Sequence, residues 1–399
     1  MPPRSSGSRP ERHCGLCECS VGIPLVGIRF AAYDVANGMT YSSPLLSMPG
    51  AVAAGAPDEG VAAHYGDPLR EQRALARGEA IVDLSHRGVV TVSGPDRLSW
   101  LNTLSSQLLL DLAPGESTET LLLTVQGRIE YSPRVVDDGA TTWLLTESWE
   151  AAPLAAWLDR MKFMLRVEIA DVTADWATLG SVRPVERFAD NLTWIDIWPH
   201  IRTGGYSYSV VGEESHPGTE RPWHEYLIPR TDLAAAVEGL TLAGMMASEA
   251  LRIAAWRPRL GVETDERTIP HELDLLRTAV HLSKGCYKGQ ETVARVHNLG
   301  HPPRRLVFLQ LDGSQHTLPE RGSAVVIGGR TVGTLTSVGQ HYEMGAVGLA
   351  VIKRSVDAGA TVEVVDGEEH YAATQELIVA TDAGQVVGRP TGLLKGGRG

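Results

Sequence analysis

In Ser283-Lys284-Gly285-Cys286-Tyr287-Lys288-Gly289-Gln290-Glu291 a thiol stands between two glycines and close to two lysines. It lies just ahead of Gln290 to His297, which reads as a helix. A cysteine near a helix N-terminus meets unpaired amides and the positive end of the helix dipole, and nearby ammonium groups add to that field. The spacing therefore marks Cys286 as a chemically poised thiol, and the glycines would let the backbone turn sharply and approach a ligand. The same residues also fit an inert buried cysteine on a glycine-shaped connection, and local features leave both readings open.

Two other segments could bind rather than react. Glu225 lies in Trp223-His224-Glu225-Tyr226-Leu227-Ile228-Pro229, a strand-like run in which aromatic neighbours flank one acid. Arg252 lies in Ser248-Glu249-Ala250-Leu251-Arg252-Ile253, a helix-like run, and its planar fork suits a carboxylate. On local grounds Glu225 is equally a solvated acid on a strand face, and Arg252 a surface charge or a partner of Glu249 three residues earlier. At the N-terminus, His13-Cys14-Gly15-Leu16-Cys17-Glu18-Cys19 offers four soft ligands in seven residues. No second C-x2-C half-site follows it, so no metal site is assigned.

The elements that must position these groups follow an α+β pattern rather than an alternating α/β one. Val89 to Val92 reads as a strand, Gly94-Pro95-Asp96 as a helix start, and Thr120 to Gln126 and Arg134 to Val136 as strands around the Gly127-Arg128 turn. Thr141 to Thr146, Thr178 to Val182 and Glu225 to Pro229 are further strands. Helices are expected over Thr231 to Leu240 and Ser248 to Trp256, with Thr231 and Ser248 as caps. After His301-Pro302-Pro303 the chain turns to short β-branched runs. Gly328-Gly329 between two of them signals a type I′ hairpin, and the spacing suggests a small barrel or sandwich.

Composition narrows the class. The 399 residues suggest two or three domains with a sizeable core, and 43% hydrophobic against 21% charged residues is a globular balance. The formal charge of -12, from 48 acidic and 36 basic side chains, makes nucleic acid and anionic membrane poor partners. No apolar run reaches the roughly 18 to 20 residues of a membrane-spanning helix. Pro24 and Arg29 break the one stretch that imitates a secretory signal, and the cysteines are too crowded for a disulfide framework, so a reducing cytoplasm is expected. The organisation read from this pattern is a weakly ordered extension over 1–60, a folded region over 61–300, a β-barrel over 301–380 and a flexible tail over 381–399. Met48 is a candidate start, because globular patterning begins only near His64.

The string from Lys284 to Glu291 resembles the K-G-C-Y-x-G-Q-E signature of the YgfZ family of GcvT-like tetrahydrofolate-binding proteins. The resemblance runs on through Arg257-Pro258-Arg259-Leu260-Gly261, Thr268 to Leu273, Thr292 to Arg295, Gly300 and Arg304-Arg305. It implies a GcvT-like folate-binding fold with a ferredoxin-like subdomain and a C-terminal β-barrel. It also implies tetrahydrofolate or a one-carbon derivative as the bound small molecule. Glu225 is then the pterin-contacting acid and Arg252 a folate-contacting base, while Lys284, Tyr287, Gln290 and Glu291 belong to the same binding motif and Cys286 is the functional thiol.

The implied role is that of a cytoplasmic accessory protein for iron-sulfur cluster assembly or repair in client proteins, including radical enzymes that modify tRNA, with no direct nucleic-acid or membrane binding. The alternative is an aminomethyltransferase like the glycine cleavage T-protein, placing the chain in one-carbon metabolism. That enzyme uses an aspartate on a G-G-I-x-D-D-like loop. Here Gln126-Gly127-Arg128-Ile129-Glu130-Tyr131-Ser132 keeps one acid and puts Tyr131 where the second would stand. A neutral phenol cannot orient an amine or stabilise developing positive charge as a carboxylate does, so classical transferase activity is disfavoured.

Overall fold

The computed structural model of the protein describes residues 41–384. Five α-helices precede the cysteine string among the described residues. They are α1 (Pro68–Arg77), α2 (Arg97–Leu104), α3 (Ser148–Met161), the single turn α4 (Leu233–Ala236) and α5 (Met245–Ala254); a sixth, α6 (Gln290–Leu299), follows the cysteine string. The first sheet has the strand order Glu168–Asp171, Gly88–Ser93, Thr141–Thr146, Arg134–Asp137, Ser117–Glu119. Its outer face packs Val90, Val92 and Leu144 against Trp100 and Leu101 of α2 and Leu154 and Leu158 of α3. The alternation of strand side chains sends Val89, Val136 and Leu145 the other way, into a core shared with the second sheet.

That second sheet runs Thr193–Ile195, His224–Pro229, Trp176–Ser181, Ile81–Asp83, Leu242–Ala243, with only the last pair parallel. Its second strand, His224–Pro229, carries Glu225 opposite Gly180 on one side and Trp194 on the other. Glycine is required at 180: a Cβ there would overlap the Trp223 ring, which lies flat against the strand. The third unit is a closed six-stranded barrel built from Arg304 to Leu377. Gly328 and Gly329 make its first hairpin turn at φ of 55° and 76°, the two positive values a type I′ turn needs.

The mixed α and β content and the terminal barrel agree with the sequence reading, and several details differ. Helix α5 begins at Met245 with Gly244 as its cap, and Ser248 is a buried interior residue. The run from Thr231 yields only a 3-10 turn and α4, because Val237 and Leu240 are drawn into the core beyond it. In the 120–126 stretch only Leu122–Leu123 pairs, with Ile129–Tyr131, leaving a long hairpin tip. Residues 41–60, read as part of a weakly ordered extension, are folded: Leu45 is buried, Ser43 N donates to Gly60 O at 2.8 Å, and Asp58 is buried among charges. At the other end Ala380 N donates to Tyr208 O at 2.8 Å and Ala383 O accepts from His301, so packing continues past the expected boundary at 380. Residues 1–40, with the His13 to Cys19 cluster, and 385–399 lie outside the described residues. Among the described residues no helix is long and apolar enough to cross a membrane.

If residues 41–47 belong to the folded unit, Leu45→Ala should cost about 2–4 kcal/mol through lost burial and the cavity left behind. Urea unfolding of the full chain should show this as a lower midpoint with unchanged slope; an unchanged midpoint would return Leu45 to a dispensable extension.

Candidate functional site

A cavity lies where the two sheets, the loop after α5 and the hairpin tip converge. It is narrow inside, about 70 Å³, and opens to about 700 Å³ of empty space when its mouth is included. Six arginines (87, 134, 221, 252, 257, 259) and five acids (Glu119, Glu147, Glu150, Asp196, Glu225) line it, with Ile129, Leu260, Leu273 and Leu275 as an apolar wall. So many charges can share a buried space only because most are paired. Arg257 binds Glu119 at 2.7 Å and Asp196 at 3.1 Å. Arg259 binds Glu147 and Asp58, each at 2.7 Å. Burial works against the ionised form of Glu147, but Arg259 and Arg87 outweigh it and hold the carboxyl down at about 2.

Glu225 is at the centre and only 1% exposed. Its Oε1 accepts from Arg87 Nη1 at 2.9 Å and from Trp223 Nε1 at 3.1 Å. Burial opposes its charge; Arg134 and Arg87 win, and its pKa is lowered. Its Oε2 lies 3.3 Å from Arg134 Nε, yet neither atom is aligned for a hydrogen bond. Buried polar atoms without hydrogen-bond partners gather here. Of twelve among the described residues, five belong to cavity-lining side chains: Glu225 Oε2, Thr146 Oγ1, and the Nε atoms of Arg87, Arg134 and Arg221. An orphaned buried acceptor costs about 1–3 kcal/mol, so such a cluster is expected where a polar ligand completes the set.

Arg252 also lines the cavity, but it has nothing left to offer. Nε binds Glu249 at 3.0 Å, Nη1 binds Arg257 O at 2.6 Å and Glu263 at 3.0 Å, and Nη2 binds Glu249 at 2.8 Å and Ser337 Oγ at 2.6 Å. Its work is to lock α5 to the barrel strand that carries Ser337. Arg221 is the better placed base: it lies 4.0 Å over the Trp223 ring, its nearest acid oxygen is Asp196 Oδ2 at 3.8 Å, and its Nε has no partner.

The cysteine string is a separate place. None of Lys284, Cys286, Tyr287, Gln290 and Glu291 lines the cavity. Lys284 is buried, its Nζ in a cage of carbonyls at the end of α2, donating to Asn102 O, to Ser105 O at 2.7 Å and to Gln107 O at 2.8 Å. Burial brings its pKa down to about 8. Lys288 pairs with Glu130 at 3.0 Å. Both ammonium groups expected to flank the thiol are thus spent elsewhere, and Cys286 is an exposed free thiol four residues before α6, outside its first turn. Gln290 Nε2 donates back to Lys284 O at 3.2 Å, closing the loop on itself, and Glu291 faces solvent.

Tyr287 is the link between the two places. It is buried in the cluster that contains Ile129, Leu273 and Leu275, the cavity's apolar wall. Gly289, at φ 86°, and Gly127, at φ 70°, let the start of α6 press on the hairpin tip, where a Cβ on Gly289 would strike Thr124 O. Gly289 therefore serves a contact between α6 and the hairpin, while a Cβ on Gly285 would meet open space.

Glu150 went unnoticed in the sequence, as did Arg87 and Arg134. Burial, with Glu147 nearby, pushes its carboxyl up to about 7 against the pull of two backbone amides and Arg134. Nothing local marks these residues; Arg257 and Arg259 alone carried a signal, in the Arg-Pro-Arg string.

Among known proteins, the GCVT N-terminal domain matches residues 62–184 and the glycine cleavage T-protein C-terminal barrel domain residues 304–378. An Arabidopsis thaliana relative named "Putative transferase, chloroplastic" is 29% identical over 342 residues, 80% of this chain and 76% of that one. An aminomethyltransferase of Geobacillus kaustophilus is 27% identical over 74% of this chain and 85% of its own. A mitochondrial iron-sulfur cluster assembly factor IBA57 homolog of Cryptococcus neoformans is 27% identical over 58% and 66%. The aminomethyltransferase T structure of Bartonella henselae superposes with a TM-score of 0.66 at 18% identity, covering 86% of this chain and 97% of that one, which shows a shared fold.

Two outcomes follow from the geometry. Glu225→Gln should cost about 3–5 kcal/mol, because Arg87 and Arg134 are left buried without their counter-charge; a denaturation midpoint equal to wild type would mean the pairing is idle. The depressed acids bind fewer protons folded than unfolded, so their stabilisation is present above the unfolded carboxylate range and fades as pH falls from about 4.5 toward the value near 2 of Glu147. Thermal melts across that window should fall steeply.

Proposed function

We propose, from the premise that this is a GcvT-like chain, that it binds tetrahydrofolate or a one-carbon derivative in the cavity around Glu225. We propose further that it acts as an accessory protein in the assembly or repair of iron-sulfur clusters in client enzymes, tRNA-modifying radical enzymes among them. The observation that carries the binding claim is the unsatisfied Glu225 Oε2, buried on the cavity wall. A pterin ring presents a ring N–H and an exocyclic amine side by side, which suits a carboxylate with an acceptor to spare. The apolar wall of Ile129, Leu273 and Leu275 would take the ring's face, and Arg221 is the base for a ligand carboxylate. The narrow interior requires these side chains to shift when the ring enters.

The client role rests on the Lys284 to Glu291 signature and on likeness to the Cryptococcus assembly factor. Exposure of Cys286 on a surface loop suits a thiol that meets a partner protein. The second reading, aminomethyl transfer, is favoured by the names of the bacterial relatives. Against it, Glu130 is turned to Lys288 and does not line the cavity, and Tyr131 packs its ring 6.5 Å from that of Trp157.

Tetrahydrofolate titrated into the pure protein should bind wild type and lose about fivefold to a hundredfold in affinity with Glu225→Gln, since one unpaired polar group in a buried site is worth about 1–3 kcal/mol. No binding by wild type would end the folate reading. Deletion of the gene should lower cluster content in client enzymes, restored by wild type and not by Cys286→Ala; full rescue by the variant would remove the thiol from the mechanism. Robust formaldehyde transfer from an aminomethylated lipoyl carrier would instead establish the transferase.

A further inference from the structure

Each cavity-lining acid but one has a guanidinium within 3.3 Å: Glu119 and Asp196 have Arg257, Glu147 has Arg259, and Glu225 has Arg87 and Arg134. Glu150 is the exception among the described residues. It stands at the first turn of α3, 3% exposed, and both its oxygens accept only from backbone, Oε1 from Ser132 N at 3.2 Å and Oε2 from Glu147 N at 2.9 Å. These two contacts fix the carboxyl between the α3 cap and the residue after Tyr131, on the hairpin segment where the T-protein-like loop lacks its second acid.

The charged groups facing Glu150 are few. Glu147 on its own element disfavours its ionisation, and Arg134, on the strand after Ser132, favours it weakly because that guanidinium is already committed to Glu225. Arg259 is held by Glu147 and Asp58, and Arg87 by Glu225. With six arginines around the cavity, the absence of one on Glu150 leaves a buried carboxyl whose charge is balanced only by two backbone amides and the already committed Arg134.

We propose that Glu150 is the proton-carrying carboxyl of this cavity, a specificity-determining group that binds ligand in its neutral form, donating one hydrogen bond to a ring acceptor while Glu225 accepts from the ring's donors. This rests on the folate reading of the cavity. The two acids divide the work by environment. Glu225, clamped by arginines, stays an anion and can only accept; Glu150, without one, is divided between its neutral and ionised forms near pH 7, and the neutral form can donate. A ligand that seals the cavity removes water from Glu150 and favours its neutral form further, so binding takes up a proton. Affinity then falls as pH rises through the free-state value of about 7.

The test is calorimetric titration of tetrahydrofolate into the full-length protein, wild type and Glu150→Gln, from about pH 6 to pH 8.5 in buffers of different ionisation enthalpy. Glutamine keeps an acceptor for the Glu147 amide, as a capping residue at this position can, so the variant should fold. Wild type should take up a proton and lose affinity by up to about tenfold per pH unit above neutrality, while Glu150→Gln should bind without proton uptake and with a flat pH profile. Wild-type binding without proton uptake, or the wild-type pH profile retained by Glu150→Gln, overturns the proposal and leaves the folate reading standing. A carbon-13 NMR titration of the glutamate carboxyls tests the group without ligand: one carboxyl should titrate near neutrality and vanish in Glu150→Gln. If no carboxyl does so, the proposal fails whatever binds. If that carboxyl is present but tetrahydrofolate does not bind at any pH, it is the folate reading that fails, and proton-coupled binding with it.

Discussion

Charge burial is the constraint on which the rest of this molecule depends. Asp58 comes from the segment before α1, Arg87 from the residue before a strand, Glu119 from a sheet edge, Glu147 from the cap of α3, Glu225 from an interior strand of the second sheet, Arg252 from α5, and Arg257 and Arg259 from the loop behind it. Each would be expensive alone in a medium of low dielectric, and each finds its partner only when distant elements are in register. The pairs therefore act less as a source of stability than as a test of correct assembly. Ser337 extends the same test to the barrel by taking an Arg252 donor and giving its hydroxyl to Glu263.

The cavity is what remains where this pairing is incomplete. Saturated networks such as the one around Arg252 have no capacity for a ligand, however well a lone arginine suits a carboxylate. The unsatisfied atoms fall on Glu225, Thr146 and the guanidinium Nε atoms of Arg87, Arg134 and Arg221, all side chains that line one cavity. Glu150 adds a different kind of incompleteness, a missing counter-charge rather than a missing hydrogen bond. An anion held by arginines and a carboxyl left without one give the same wall both an acceptor and a donor.

The cysteine loop obeys another rule. Lys284 is consumed in closing the end of α2, Lys288 in holding Glu130, and Gly289 in letting α6 meet the hairpin. Most of the signature is thus concerned with fastening the loop to the hairpin and the cavity wall, through Tyr287, while Cys286 is left at the surface. Cys286 is exposed, while its neighbour Tyr287 belongs to the buried cluster that also holds Ile129 of the cavity wall.

Short-range patterns were legible in the sequence. The two adjacent glycines at 328 and 329 admit few turns other than the one observed, and the β-branched runs after Pro303 close into a barrel, whereas the local residues left Glu225 open between a solvated and a binding acid and the fold buries it. The Lys284 to Glu291 string was legible as a motif, but the partners of its lysines were not. What tertiary structure decided was the fate of each charge. Arg252 does meet the nearby Glu249 that the sequence offers, but its link to Ser337, the turn of Lys288 to Glu130 and the want of a guanidinium on Glu150 depend on residues tens to hundreds of positions away. Local sequence determines which groups a segment carries and how its backbone runs; pairing is a property of the folded neighbourhood, because an electrostatic partner is chosen by distance in space and not along the chain.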